Sequence, residues 1–387
     1  MTSKDVINSK GNYQNAFLLA FIFFLQVIDN ILRENGISNL MVSNIKIFFI
    51  FFTIFWFSLQ LATKKNTIIF KRELLLIIMM YFLLLIVSLY WMNLNNMYNW
   101  SSIATGVMRI IVPAVLAFLV INVMTFELIY NVMTFFLVVS FIGFVLMEIV
   151  TGKFDFKMIF TFSLTDSTGS TMESNFFSPT AISLCIFFGR FRKSKWQLIS
   201  SVLFTVMTYK RIMTLFAIFI FLFGGRIKNR KISLLLKIIF GMVFYFLTIY
   251  YIKLNLGLVN ADLIQNFFKA PIDQLTMGRT WMFQNIYFHG YVRHGLFTIL
   301  NSGFRNPEMD LPNVYLEAGS LSIIVLITFL LILVRNNFYC FIIIAFTLVE
   351  MLTSHWLDIT FFWVVIYITI GCIQYRSEMN IVYEDND

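Results

Sequence analysis

Charge is scarce in this chain. Only 13% of its 387 residues are Asp, Glu, Lys or Arg, whereas 59% are hydrophobic and mean hydropathy is +0.81. A soluble core of this size does not need 47 Phe with so few charges, so composition excludes a soluble globular protein. Cysteine is rarer still. Cys185, Cys340 and Cys372 stand singly in apolar stretches, with no C-x-x-C and no neighbouring His. They read as small packing residues rather than as a disulfide or a metal site. The chain also lacks a Walker A loop, G-x-G-x-x-G, G-x-S-x-G and H-E-x-x-H, which leaves nucleotide-driven chemistry unsupported. No internal repeat and no heptad pattern occurs. No cleavable leader is expected, because the N-terminal MTSKDVINSKGNYQ is polar and the first apolar run is long enough to span a bilayer.

What the chain has instead is apolar runs, most about 18–22 residues long, along its whole length. They fall near 15–32, 44–62, 73–92, 102–124, 128–150, 176–190, 198–209, 212–224, 233–252, 314–334, 338–353 and 359–375. The expected fold is therefore all-α: one polytopic membrane domain, 1–387, of about twelve transmembrane helices. The basic residues orient it. Lys64, Lys65, Lys71 and Arg72 form one cluster, Arg190, Arg192, Lys193 and Lys195 another, and Arg226, Lys228, Arg230 and Lys231 a third; Arg335 and Arg376 are single. With Lys4 and Lys10 in the cytoplasm, all of these lie inside. The net charge of +9 thus reports topology rather than nucleic acid. The uncharged connection 93–101 falls outside, and the acidic tail within 376–387 falls inside. Both termini of this multi-pass protein of the cell membrane are expected in the cytoplasm.

One run breaks the rule of apolarity. In TYKRIMTL (208–215), Lys210 and Arg211 sit mid-run, where a charge costs at least ~2.5 kcal/mol. Basic clusters flank this run on both sides, so an even number of crossings keeps both inside. The run then folds as a hairpin whose arms, about 12–14 residues each, reach only ~18–21 Å. That is short of the ~30 Å hydrocarbon core, so the tip lies in a recess below the outer surface. Snorkelling at a turn is the bland alternative. Anion binding is the functional one, with Arg211 suited to bidentate contact with phosphate oxygens and Lys210 adding a point charge.

The connection 253–313 is the only long one, and by the same scheme it is outside. It is aromatic and of mixed charge, with short amphipathic helices expected around 261–270 and 278–289. A second outer connection, 151–175, is rich in Ser and Thr. Arg279, in MGRTWMFQ, reads either as a solvated loop charge or as a pre-organised cation. His289 and His294, in YFHGYVRHGLF, are candidates for acid–base work, with Glu308, Asp310 and Glu317 as rival bases. His355 lies in a short outer turn and has a structural reading. Arg109, in MRIIVPAVLAF, faces either an ion pair with Asp29, Glu148 or Glu350, or an outward cavity.

These segments, taken in order, resemble the Wzy-type polysaccharide polymerases and the related O-antigen ligases. VMRIIVP (107–113) resembles the family's Arg-bearing span, and ESNFF (173–177) its Asn-containing approach to the next span. TYKRIMTLFAI (208–218) is similar to its T-x-S-R segment, with Lys210 in the usual Ser position. GRTWMF (278–283) is similar to G-R-x-x-x-W with Trp281 early. HGLFTILNSGF (294–304) and LPNVYLEAGSLSI (311–323) resemble the two segments that follow, although Pro312 stands where many members have His. The resemblance implies a GT-C-like fold and a polymerase joining polyprenyl-diphosphate-linked oligosaccharides at the outer face. It implies no metal and no cofactor. Membrane lipid, flippase and chain-length regulator proteins are the implied company. Arg211, Lys210, Arg279 and Arg109 would then hold the diphosphate. Trp281, Tyr315, Asn313 and Asn175 would contact sugar, and the base would come from His294, His289, Asp310 and Glu317. The alternatives are a ligase or, in a different class, a lipid-linked oligosaccharide flippase. The long outer connection and the lack of a repeat count against the flippase.

Overall fold

Helices account for most of the described residues, and no strand forms among them. The computed structural model describes 3–37, 40–63, 67–154, 174–227, 231–269, 271–276, 278–299, 307–357, 359–375 and 379, without the side chains of 3–12, 263 and 268. The side chains of Lys4 and Lys10, together with Lys64, Lys65, Lys228, Arg230, Arg376, most of the connection 151–175 and nearly all of the tail, therefore lie outside what is described below.

In chain order the helices are α1 (Ser3–Glu34), α2 (Leu40–Thr63), α3 (Lys71–Leu94), α4 (Trp100–Gly106), α5 (Val112–Val123), α6 (Phe126–Val150), α7 (Phe177–Arg190), α8 (Lys195–Met207), α9 (Arg211–Phe223), α10 (Leu234–Asn255), α11 (Asp262–Phe268), α12 (Ile272–Leu275), α13 (Arg279–Phe288), α14 (Asp310–Ala318), α15 (Ser320–Leu333), α16 (Phe338–Thr353) and α17 (Thr360–Gln374). Six stretches are long and apolar enough to cross a membrane: Tyr13–Glu34, α2, α3, Trp100–Val123, α6 and α10. At 22–25 residues each, they extend ~33–38 Å, which exceeds the hydrocarbon core. The helices α9, α15, α16 and α17 are shorter but equally apolar. This is a helical, multi-pass membrane protein.

Side-chain exposure sorts the helices into lipid-facing and central. Phe48, Phe55, Leu235 and Phe246 on α2 and α10 project outward, as expected where lipid rather than water surrounds the bundle. α17 is buried on every side from Phe361 to Ile373 and packs on α5 and α7. A helix that is apolar all round belongs at the centre.

Two expected spans depart from a plain helix. The run 102–124 contains a π-turn at Val107–Ile111. Pro113 explains it: Pro has no N–H to bond the Arg109 carbonyl four residues back, and its ring crowds that carbonyl. The run 314–334 is divided at Gly319, which has φ +82° and ψ −179°. That conformation is open essentially to Gly alone, so α14 ends there and α15 starts on a new axis.

The polar contacts collect at two ends. At one, Arg335 Nε lies 2.7 Å from Glu73 Oε1 and Tyr375 donates to Glu73 at 2.6 Å. Arg190 donates to the Ile227 carbonyl, and Lys193 pairs with Glu127. The described members of all three basic clusters belong to this end. At the other, Glu34 accepts from the Phe176 amide at 3.1 Å, Asn95 donates to the Arg293 carbonyl at 2.6 Å, and the Ser174 amide donates to the Thr208 carbonyl. The functional candidates all gather at this second end.

Candidate functional site

The apolar run holding Lys210 and Arg211 does fold as two helices, α8 and α9, of 13 residues each. The turn between them is tight. Tyr209 takes φ +56°, a left-handed conformation that costs a non-Gly residue roughly 1–3 kcal/mol. Lys210 caps α9 and Arg211 opens it. Lys210 Nζ donates to Asn175 Oδ1 at 2.7 Å, so the two segments that carry them are joined. Phe216 on α9 stacks on Phe346 of α16, with centroids 3.7 Å apart and planes at 4°. That contact fixes the arm that presents Arg211.

Arg279 arrives by another route. Gly278 takes φ +78°, and Arg279 is the first residue of α13. Thr280 donates to buried Asn255 Oδ1 at 2.8 Å, and Gln284 donates to the Asn255 carbonyl at 2.9 Å. These bonds dock α13 on the end of α10. The short helices at Asp262–Phe268 and Arg279–Phe288 stand where amphipathic segments were expected.

Lys210, Arg211 and Arg279 line one cavity of about 470 Å³, with Glu350 of α16 and Ser354 opposite. The Glu350 carboxylate lies in the field of Lys210 and Arg279. Ile212, Leu215, Leu254 and Ile264 form its apolar side. Arg279 also approaches Glu308, at 3.6 Å. A narrow pocket of about 10 Å³ shares Lys210, Arg279 and Ser354 with this cavity and is also lined by Asn175, Glu308 and His355. His355 also lines a second cavity of about 390 Å³, which holds Arg33, Lys46 and Arg109.

Comparison of this chain with family models, with curated proteins and with solved structures gave no match.

Several expected site residues are placed elsewhere. Asp310 is buried, and its Oδ2 accepts from the Trp356 and Leu357 amides at 2.5 and 2.6 Å. Glu317 is buried, and its two oxygens accept from the Phe297 and Ile299 amides at 2.8 Å each. Asp310 Oδ2 and both Glu317 oxygens therefore tie loops down. His289 bonds the Asn285 carbonyl on the exposed end of α13, and His294 bonds the Val292 carbonyl. Neither His lines a cavity described above. Arg293 caps α14, donating to the Tyr315 and Leu316 carbonyls while lying over the Trp91 ring. Burial, with Glu317 adding to it, holds the Tyr291 hydroxyl above its ordinary range; it shares a hydrogen bond with Thr298 at 2.6 Å.

The expected sugar contacts separate in the same way. Asn175 is at the site. Trp281 is 60% exposed and turned away from the cavities. Tyr315 lies beneath Arg293. Asn313 is buried, and its amide donates to the Met309 carbonyl. Arg109 is not with the other three cations: it lies over Phe297, 5.7 Å from the ring centroid, near Glu317. Asp29, once a possible partner for Arg109, is engaged by Lys46 and Arg33. His355 and Lys46 are the residues that sequence reasoning missed. Lys46 carried a usable signal, since it is a charge inside an apolar run. His355 carried none beyond its place in a short turn between two apolar runs. The three cysteines are buried, free packing residues.

Proposed function

We propose that the protein is a glycosyl polymerase of the cell membrane, joining polyprenyl-diphosphate-linked oligosaccharide units at the outer face. In this reading the chain crosses the bilayer twelve times, α8 and α9 form the short hairpin, and both termini are cytoplasmic. The basic end of the bundle is the inner one. The observation that carries the reading is the convergence of Lys210, Arg211 and Arg279 on one cavity with an apolar flank. Cations gathered at membrane depth call for an anion, and an apolar flank suits a ligand that arrives through lipid.

A diphosphate on an anomeric carbon fits both demands. Breaking that carbon–oxygen bond develops charge on the diphosphate, which the three cations stabilise. The sugar passes through oxocarbenium character, and the acceptor hydroxyl loses a proton to a base. His355 is the preferred base, because it lines the narrow pocket beside Lys210 and Arg279 while Glu308 is engaged with Arg279. The leaving diphosphate supplies the driving force, so the reaction calls for no nucleotide, metal or other cofactor.

The test is Arg211→Ala in cells, with lipid-linked glycan analysed for length and sidedness. Loss of one positioned donor to a developing anion costs ~10²–10³ in rate. Polymer is expected to vanish while single repeat units accumulate outside. Units retained inside would favour a flippase instead, and wild-type polymer would overturn the clamp.

A further inference from the structure

The helix α10 is held to the bundle along one narrow seam. Lys237, Phe244, Thr248, Ile252 and Asn255 are among its buried residues, spaced by three, four or seven. Gly241 falls in the same seam, between Lys237 and Phe244. With no side chain there, α10 approaches α15 so closely that a Cβ at 241 would meet Leu331 Cδ1 at 3.0 Å. A cleft of about 370 Å³ opens beside this point. Ile238, Met242 and Phe246 of α10 and Ile324 and Ile332 of α15 form its exposed apolar walls. At one end the cleft is preformed, because the Ile232 amide donates to the Asn336 carbonyl at 2.8 Å and so pins the start of α10 to the end of α15.

That pinned end is the basic one, and a single charged residue lines the cleft there, Lys237. Lys237 is only 7% exposed. Its Nζ donates to the Arg335 carbonyl just past α15, and it makes no ion pair among the described residues. One of the three ammonium donors is thus used, against a group without net charge. Arg72, at the start of α3, adds a second positive field at this point. Glu73 beside it is engaged by Arg335 and Tyr375. A covered cation at the edge of lipid, with no counter-ion from the protein, is a costly arrangement unless an anion visits. The length of the cleft says what carries the anion. From Leu234 to Phe246 its lining on α10 rises ~18 Å. That is about the depth of one leaflet, half of the ~30 Å hydrocarbon core.

We propose that the cleft between α10 and α15 holds one anionic diacyl phospholipid, with an acyl chain along the apolar walls and its phosphate against Lys237. The lipid comes from the leaflet at the basic end. It fills the gap that Gly241 leaves in the seam and supplies the counter-ion that Lys237 lacks. The site lies at the end of the bundle opposite Arg211 and Arg279. It is independent of the glycan chemistry proposed above, so either can fail without the other.

The full chain in a neutral detergent, titrated with phosphatidylglycerol or with phosphatidylcholine of the same acyl chains and counted for bound lipid by native mass spectrometry, tests the proposal. Wild type is expected to hold one phosphatidylglycerol about tenfold more tightly than phosphatidylcholine. Lys237→Met should remove that preference, and Lys237→Arg should keep it. Thr328→Trp fills the cleft from an exposed position on α15, where folding is not at stake, and should weaken both lipids. Equal retention of the two lipids by wild type, or a preference that survives in Lys237→Met, would overturn the head-group contact. A preference that survives in Thr328→Trp would put the lipid on the basic surface outside the cleft and overturn the site. Displacement of phosphatidylglycerol by an equal concentration of polyprenyl phosphate would assign the cleft to an isoprenoid chain and overturn the diacyl class. A dimer without lipid that Thr328→Trp abolishes would make the cleft an interface between copies and overturn the proposal as well.

Discussion

Glu317→Gln separates a catalytic carboxylate from one that holds a loop. In the native protein both oxygens accept backbone N–H groups, from Phe297 and Ile299, at 2.8 Å. Hydrogen bonds to a charged acceptor contribute about 1.5–3 kcal/mol each. Glutamine keeps one acceptor oxygen but turns an N–H₂ group toward the second amide. One bond becomes neutral and the other becomes a buried donor facing a donor, which costs about 1–3 kcal/mol more. The segment that carries Phe297 and Ile299 is also held by Ser88, which accepts from the Leu296 amide, and by Ser102, which donates to the Phe297 carbonyl. It should therefore loosen rather than unfold. A net loss of about 3 kcal/mol corresponds to roughly 10²-fold faster local opening, at about 1.4 kcal/mol per tenfold. Amide hydrogen exchange on the protein in nanodiscs reads this directly, at Phe297 and Ile299. Exchange within twofold of wild type, together with abolished glycan transfer, would refute the anchoring role and favour Glu317 as a base.

Asp310→Ala should release the Trp356 and Leu357 amides, lower stability by about 3 kcal/mol and misplace His355; a thermal melt measures the first effect, and glycan transfer per folded molecule the second. Pro113→Ala restores an N–H that can bond the Arg109 carbonyl and regularise the π-turn, rotating Arg109 by about 100°. The melt should hold or improve while transfer falls by about 10²-fold, as for other misplaced groups. His355→Gln should depress transfer while leaving polyprenyl diphosphate binding intact; equal loss of both would argue that His355 is structural. Cysteine placed at Lys153 should react with an impermeant maleimide on intact cells, whereas cysteine at Lys231 should react only after permeabilisation. Labelling at Lys231 but not at Lys153 from outside would invert the topology, and labelling of both from outside would refute the crossing scheme between them. The native thiols are buried and should stay silent.

How much was legible in the sequence depended on whether a local rule governed it. Membrane class follows from composition, because apolar side chains in runs of about 20 residues have no other stable setting. The hairpin at 208–211 follows from flanking charge and helix length, and α8 and α9 bear out the helix–turn–helix. The break at Gly319 was not legible, since Gly is tolerated in many spans and only its φ reveals the role. The choice among acidic and basic candidates was not legible either. Asp310, Glu317, His289 and His294 looked equivalent in or beside a polar loop, but which carboxylates accept from backbone amides depends on chain segments distant in sequence.

The sequence by itself determined the environment: lipid around most helices, a basic end and a mixed-charge end, and cations that must be sheltered. Those properties depend on side-chain chemistry and on periodicity along one segment. The tertiary structure alone decided which cations share a cavity. Arg109 and Lys210 read alike as intramembrane charges, yet packing sends one to Lys46 and Arg33 and the other to Arg211 and Arg279. It also brought His355, the least promising histidine on paper, to the border between the cavity of Arg109 and the narrow pocket beside Lys210 and Arg279. The physical reason is that a site is a set of distances, and distances between remote segments are fixed only when their helices pack.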